Sequence, residues 1–530
     1  MMTKRSRLAS AVLAGAIAIV PNAFANTFRW ANDGDANSMD PYTRNETFLL
    51  TFAQNIHDPL VRRNRELKIE PALAQRWENP SPLVWRFHLR PNVKFHGGQA
   101  FSADDVIFSY QRAVGPGSQL NANFATVKEV RRIDDLTVEF ETKVPDPIFL
   151  ENITTWVIMS KTWAEANNAV QATDLTKKEE NFATRNANGT GPFILRTREP
   201  DRRTTLANNP AWWDKPEHNL TDVQFNVINN AATRVAALLS GDIDMTYSVP
   251  PQDMDRIGKT AGLRLIVGPE LRTIFLGFDQ NRTELLKSDV KGKNPFKDQR
   301  VRMAFYQAID VNAISTRVMR GQARPTGTMY GPGVNGYVAA ADQRHAFDPA
   351  KAKALLAEAG YPNGFTVTMD CPNDRYVNDE QICQAVTAML ARIGVKVELV
   401  AQTRLKYFSE INSPGYNTSF YLLGWTPATY DAHNAFFNLA GTRNGSRGVF
   451  NNGGYANPEL DKLTDQILVE TDTAKRQQMI LTASRILHDD VVYIPLHQQT
   501  VVWAARANIE LQQLADNTFP LRYVRVNPAK

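Results

Sequence analysis

The sequence predicts an α/β protein of two lobes that share strands, with a β-rich stretch in its first half. Three observations carry that reading. The chain has 530 residues, too many for a single hydrophobic core. From residue 297 onward, helical and two-residue hydrophobic periodicities alternate, the helix–strand–helix–strand order that builds a largely parallel sheet. No repeat, low-complexity segment or long linker divides the regions, so the lobes exchange strands instead of following one another like beads. With 43% hydrophobic and 22% charged residues, the composition is that of a soluble globular chain.

The first 25 residues stand apart from that fold. Lys4, Arg5 and Arg7 form a basic head, residues 8–20 a short apolar run, Pro21 a break, and Ala23-Phe24-Ala25 a small-x-small cleavage pattern. The apolar run is too short to cross a bilayer, so cleavage after Ala25 is expected. No cysteine stands at the junction to take a lipid, and the mature chain is expected free in the periplasm. Cleavage removes three basic residues and no acidic one, taking the net charge from +5 to +2. Such a balance leaves no nucleic-acid footprint. Two cysteines, Cys371 and Cys383, share an oxidising compartment; a disulfide and a pair of buried thiols are both open readings.

In chain order, residues 27–31 suggest an edge strand before a polar loop. Phe48, Leu49, Phe52 and Ile56 recur at helical spacing, giving a helix over 46–55. A short hairpin is expected at 60–61 and 67–69, and Pro71 opens a short helix, PALAQRW. Strict alternation makes 83–89 a strand, continued at 93–95. Ser102 caps a helix with Asp105 at the capping-box position. Strands at 127–133 and 136–142 meet at Asp134-Asp135, and Pro145-Asp146-Pro147 ends the β-rich unit. After NANGTGP at 186–192, strands follow at 193–196, 203–207 and 222–228, a helix at 231–239 stopped by Gly241, and a short strand at 243–245. The second half adds strand 271–279, helix 297–309, a helix with Asp348 as cap and Pro349 at its first position, strand 365–369, helix 380–392 and strand 395–400. Helices at 458–470, capped by Asn457, and 474–488, capped by Thr473, precede two strands near 491–496 and 500–504.

Chemistry-bearing patterns are sparse. His57, His88, His96, His218, His345, His433, His488 and His497 form no HExxH or Cys/His cluster. Asn444-Gly445-Ser446-Arg447-Gly448 lacks the first glycine of a nucleophile elbow, and no phosphate loop or dinucleotide fingerprint occurs. Asp104-Asp105 and Asp134-Asp135 fall at a cap and a turn. No cofactor or metal is called for, and a periplasmic hydrolase is the minor alternative, since catalytic groups also converge from distant segments. An exported, multi-lobed chain without catalytic motifs points to binding, and two lobes joined by crossing strands close on a solute as a hinge does.

The stretch 420–437, FYLLGWTPATYDAHNAFF, is the candidate ligand wall. An apolar strand breaks at Gly424-Trp425 into a polar loop. Glycine admits close approach to the backbone, the Trp425 indole offers a flat face and one N–H donor, and Asp431 brings a charge.

Several segments carry a family likeness. Residues 77–98 read W-E-N, then W-R-F-H-L-R, then V-K-F-H-G-G, followed by Phe101-Ser102-Ala103-Asp104-Asp105-Val106. Gly189-Thr190-Gly191-Pro192-Phe193, Asn209-Pro210-Ala211-Trp212-Trp213, Leu239-Ser240-Gly241-Asp242-Ile243-Asp244 and the 294–302 run NPFKDQRVR come after it in order. Together they resemble the dipeptide- and oligopeptide-binding proteins of bacterial ABC importers, the extracellular solute-binding family 5. The resemblance implies the two-lobed periplasmic-binding-protein fold with hinge strands and three regions: lobe I from 26–56, 188–268 and 493–530, an appended β-rich domain at 57–187, and lobe II at 269–492. It implies a monomer that captures a peptide or peptide-like solute between its lobes and delivers it to an inner-membrane permease driven by an ATPase. An opine, oligosaccharide or metal chelate is the alternative cargo on the same scaffold.

The resemblance also suggests site residues. Gly424 and Trp425 match the family's ligand-wall pair. Peptide binders hold the ligand's α-amino group with an aspartate three residues beyond that tryptophan, where this chain has Ala428. Either Asp431 takes over as charge partner or the ligand has no free amino terminus. Arg375 falls near the arginine that holds a ligand carboxylate in dipeptide binders, and Arg44, Asn45 and Thr47 fall on the first-lobe loop that touches ligand backbone.

Overall fold

Two long strands run through the molecule and decide its architecture. In the computed structural model, which describes residues 26–445 and 447–528, Leu263–Phe278 pairs antiparallel with Tyr493–Arg506. Their register shifts between Pro269 and Thr273, so each lobe holds one half of the pair. Outward from Tyr493–Arg506 lie Met245–Thr246, Thr27–Asn32, Asp222–Val227, Arg203–Asn208 and Phe193–Glu199, the sheet of lobe I. Outward from Leu263–Phe278 lie Phe420–Trp425, Thr366–Pro372 and Lys396–Gln402, the sheet of lobe II. The proposed export signal falls outside the described residues.

Period-two alternation explains how lobe II buries both faces of its sheet. Ile274, Leu276 and Phe278 face one core with residues of helices Gln299–Ala308, Pro349–Glu358 and Asp379–Ala391. Leu271, Phe275, Tyr421 and Leu423 face another with residues of Arg404–Ile411, Pro458–Val469 and Thr473–Asp489. The β-rich region has its own core around Phe87, Phe140, Phe149 and Trp156, beneath a four-stranded sheet. Lobe I packs around Trp30, Phe225, Trp503 and Phe519.

Several expectations change here. Thr27–Asn32 is an interior strand, paired in parallel with Asp222–Val227 and Met245–Thr246, not an edge. The PALAQRW segment is no helix: Ala74–Ser81 pairs with Val84–Leu89, setting Trp77 opposite Phe87. A partner strand a few residues on outweighs weak local helix preference. The expected strands at 491–496 and 500–504 are one strand, because the polar His497-Gln498-Gln499, which reads as a turn, is buried where the strand passes between lobes. Strand 271–279 likewise begins earlier, at Leu263. Helix Thr473–Asp489 is capped by Asp472, whose side chain accepts from the Lys475 N–H at 2.9 Å. Helix Arg404–Ile411 was legible in the spacing of Tyr407 and Ile411, both fully buried, but not anticipated.

Cys371 and Cys383 are joined by a disulfide that ties strand Thr366–Pro372 to helix Asp379–Ala391 in the lobe II core. With 12 residues of separation the bond limits the unfolded chain modestly. Replacing both cysteines by alanine is expected to lower unfolding stability by about 2–3 kcal/mol, measured by urea denaturation. Burial pushes His497 down to about 3, and the Arg344 charge adds to this. The folded state therefore binds fewer protons than the unfolded chain between about pH 6.5 and 3, and stability falls as pH drops through that window. His497→Gln is expected to flatten this acid limb, by at most about 1.4 kcal/mol per pH unit, in denaturant titrations from pH 7 to 4.

Candidate functional site

Strand Phe420–Trp425 lies between the lobe II half of Leu263–Phe278 and strand Thr366–Pro372, so its last residues emerge at the edge of lobe II. Gly424 stands opposite Ile274 and Trp425 opposite Thr273. A Cβ built on Gly424 would lie 2.6 Å from the Tyr376 ring and 2.9 Å from Ile274. The glycine is thus required by Tyr376, which packs on the strand and donates its O–H to the Gly424 carbonyl at 3.4 Å. That internal contact accounts for the glycine without reference to a ligand. Trp425 is half-buried, its ring 5.0 Å from that of Phe450, and its indole N–H donates to Asn434 Oδ1 at 2.9 Å. The wall therefore offers an indole face, with the N–H already engaged.

Arg375 and Tyr376 occupy the loop between Thr366–Pro372 and Asp379–Ala391. Both backbone N–H groups donate to Asp379 Oδ2 at 2.9 Å, which fixes the loop's shape. Burial pushes the Asp379 carboxyl up to about 6 against these donors. The Arg375 guanidinium sits 5.2 Å from the Tyr376 ring, and that of Arg272 sits 5.7 Å from the same ring. Arg272, from the register break, pairs with Glu270 at 3.2 Å, and Glu270 also accepts from Asn517 at 3.3 Å and from Gln499. Among the described residues the Arg375 guanidinium makes no ion pair, so it is the uncompensated cation of this cluster. Sequence reasoning missed Arg272 and Tyr376, although an arginine within the apolar run LRTIFLGF was a visible signal.

Asp431 is not at the ligand wall, and its expected role is corrected. It is fully buried, and Arg476 donates to both oxygens, Nη1 to Oδ2 at 2.8 Å and Nη2 to Oδ1 at 2.9 Å. Asn335 Nδ2 donates to Oδ2 at 2.7 Å and the His433 N–H to Oδ1 at 2.9 Å. Four donors leave no lone pair directed at a guest. Ala428 is exposed and carries no charge. Arg44 is half-buried and Asn45 and Thr47 are exposed, on the segment leading into helix Thr47–Ala53. Glu46 of that segment caps the helix by accepting from the Leu49 N–H at 3.1 Å and is felt electrostatically by Arg272.

A family model described as bacterial extracellular solute-binding proteins, family 5 (middle), matches residues 68–447. The chain belongs to this family. It is a bacterial extracellular solute-binding protein. It is 27% identical over 477 residues to the glutathione-binding protein GsiB of Pectobacterium atrosepticum, covering 88% of this chain and 87% of that protein. Its fold is similar to that of DppA from Helicobacter pylori in complex with the peptide STSA, with TM-score 0.79, 24% identity, and coverage of 95% and 98%. It is also similar to a dipeptide-binding protein of Pseudoalteromonas sp. SM9913 in complex with Met-Leu, with TM-score 0.80, 22% identity, and coverage of 94% and 100%. In this family-5 chain, no helix among the described residues is long and apolar enough to cross a membrane.

Removing Asp431 strands the Arg476 guanidinium in the interior. Asp431→Ala is expected to cost about 3–5 kcal/mol of unfolding stability without any ligand present, read by chemical denaturation. A variant that melts like the parent but loses ligand response would restore Asp431 to the binding surface.

Proposed function

We propose that this family-5 protein captures a small peptide or peptide-like solute rich in carboxylates, and releases it unaltered to the permease. The observation that carries this reading is the free Arg375 guanidinium beside Tyr376 and Gly424. An arginine fork suits a carboxylate through two parallel hydrogen bonds. Arg272 adds positive potential, tempered by Glu270. The two positions expected to hold an α-ammonium do not offer a free carboxylate, because Ala428 is uncharged and Asp431 is saturated. A cargo whose amine points elsewhere fits this wall better than a simple zwitterionic dipeptide held at both ends there. The glutathione-binding names of the curated relatives support an acidic small peptide. The Trp425 face would carry apolar parts of the guest. Arg44, Asn45 and Thr47 would meet it from lobe I on closure. In this reading the division into 26–56, 188–268 and 493–530 as lobe I, 57–187 as appended domain and 269–492 as lobe II places the guest between the two main lobes. The working form is a periplasmic monomer, cleaved after Ala25 and without a lipid anchor.

Mass spectrometry of solute released from the purified protein, followed by thermal-shift titration with glutathione and a dipeptide panel, tests the assignment. A bound peptide raises the melting temperature by mass action. Arg375→Gln is expected to weaken binding by about tenfold or more, corresponding to about 1.4 kcal/mol or more, with the unliganded melt unchanged. A neutral sugar recovered as the resident solute, with no peptide response, would sink the peptide reading.

A further inference from the structure

Tyr430 occupies a position unusual for a bulky residue. It lies in the loop beyond Trp425 with φ of 56°, a left-handed conformation that disfavours side chains with a Cβ. The backbone around it is fixed. Its N–H donates to the Pro427 carbonyl at 2.9 Å, the Asn335 N–H donates to its carbonyl at 2.7 Å, and the Ala432 N–H donates to the Asn335 carbonyl at 3.0 Å. Asp431, the next residue, is anchored on Arg476.

The side chain held in this way bonds outside lobe II. The Arg63 guanidinium lies 3.4 Å from the ring centroid, and Arg63 belongs to the hairpin strand Val61–Arg63 of the β-rich region. There Arg63 is held by Glu151 and by donating to the Leu67 carbonyl at 2.7 Å. The phenol donates to Asp516 Oδ2, while Asp516 Oδ1 accepts the Thr518 N–H at 2.9 Å. Asp516 lies on the segment that leads through Phe519 and Leu521 into the lobe I core. Its neighbours reach the register break: the Leu271 N–H donates to the Ala515 carbonyl at 2.7 Å, and Asn517 Nδ2 to Glu270 at 3.3 Å. Burial, with the Asp516 charge, pushes the phenol well above its ordinary value, so it remains a donor.

We infer that Tyr430 is an inter-lobe clasp, joining the loop after Trp425 in lobe II to Arg63 of the β-rich region and Asp516 of lobe I. The left-handed backbone then has a purpose: it aims the ring across the gap, and the contacts made there compensate the conformation. A side chain that merely filled lobe II would find its polar partners within lobe II. The clasp rests on the solute-binding, lobe-closing reading of the chain, but not on which solute is carried.

Hydrogen exchange on the unliganded mature chain tests this, with the parent compared to Y430F and D516N. Y430F keeps the ring and removes only the hydroxyl; D516N removes the charged acceptor from the opposite side. Amides of residues 514–518 are expected to exchange about tenfold faster in both variants, the loss of roughly one buried hydrogen bond. Amides of Thr366–Pro372, in the lobe II core, are expected to stay at parental rates. Unchanged exchange at 514–518 in both variants overturns the clasp. Faster exchange throughout lobe II also overturns it, since Tyr430 would then be an interior prop. No ligand enters the measurement, so a wrong cargo assignment, visible in the recovered solute, leaves this test standing.

Discussion

One buried carboxylate organises the loop after Trp425. Asp431 gathers a bidentate guanidinium, a side-chain amide and a backbone N–H, with no exposed surface. Its partners come from different elements, Arg476 from helix Thr473–Asp489 and Asn335 from the segment before helix Pro349–Glu358. The loop after Trp425 is therefore pinned from two sides. A wall ordered in advance contributes more of its contact energy to binding, because little conformational entropy is lost when a guest arrives.

The register break between Pro269 and Thr273 is the second constraint. Continuous β-pairing through both lobes would make a stiff plank. The break instead places Glu270 and Arg272 between the halves, where polar groups need partners. They find each other, Gln499 and Asn517, while Arg272 Nε and Gln499 Oε1 are left without a hydrogen-bond partner among the described residues. The same arginine reaches toward Tyr376, which packs on Gly424. The register break and the end of strand Phe420–Trp425 are thus linked through Arg272 and Tyr376.

Much of this was legible from local patterns, and the failures share a cause. Helix Ala103–Val114 with its Ser102–Asp105 capping box, the hairpin of Val127–Asp134 with Thr137–Thr142 and helix Pro349–Glu358 all follow from spacing and caps. Residues 74–81 look helical until their partner strand is known, and Thr27–Asn32 looks peripheral until strands from residues 222–246 flank it. Asp431 looked like a free charge because its partner lies 45 residues away on another helix. The packing of Tyr376 on Gly424 was not visible because Tyr376 is distant in sequence.

By itself the sequence determined the class of protein and many of its elements, because periodicity, caps and family motifs are local and survive without knowledge of the fold. Tertiary structure alone decided which charges remain free. Asp431 is neutralised inside lobe II, Arg375 is left open beside Tyr376, and Tyr430 reaches out of its own lobe. Whether a charged or polar group meets solvent, a guest or a buried partner depends on neighbours that only folding brings within hydrogen-bond distance.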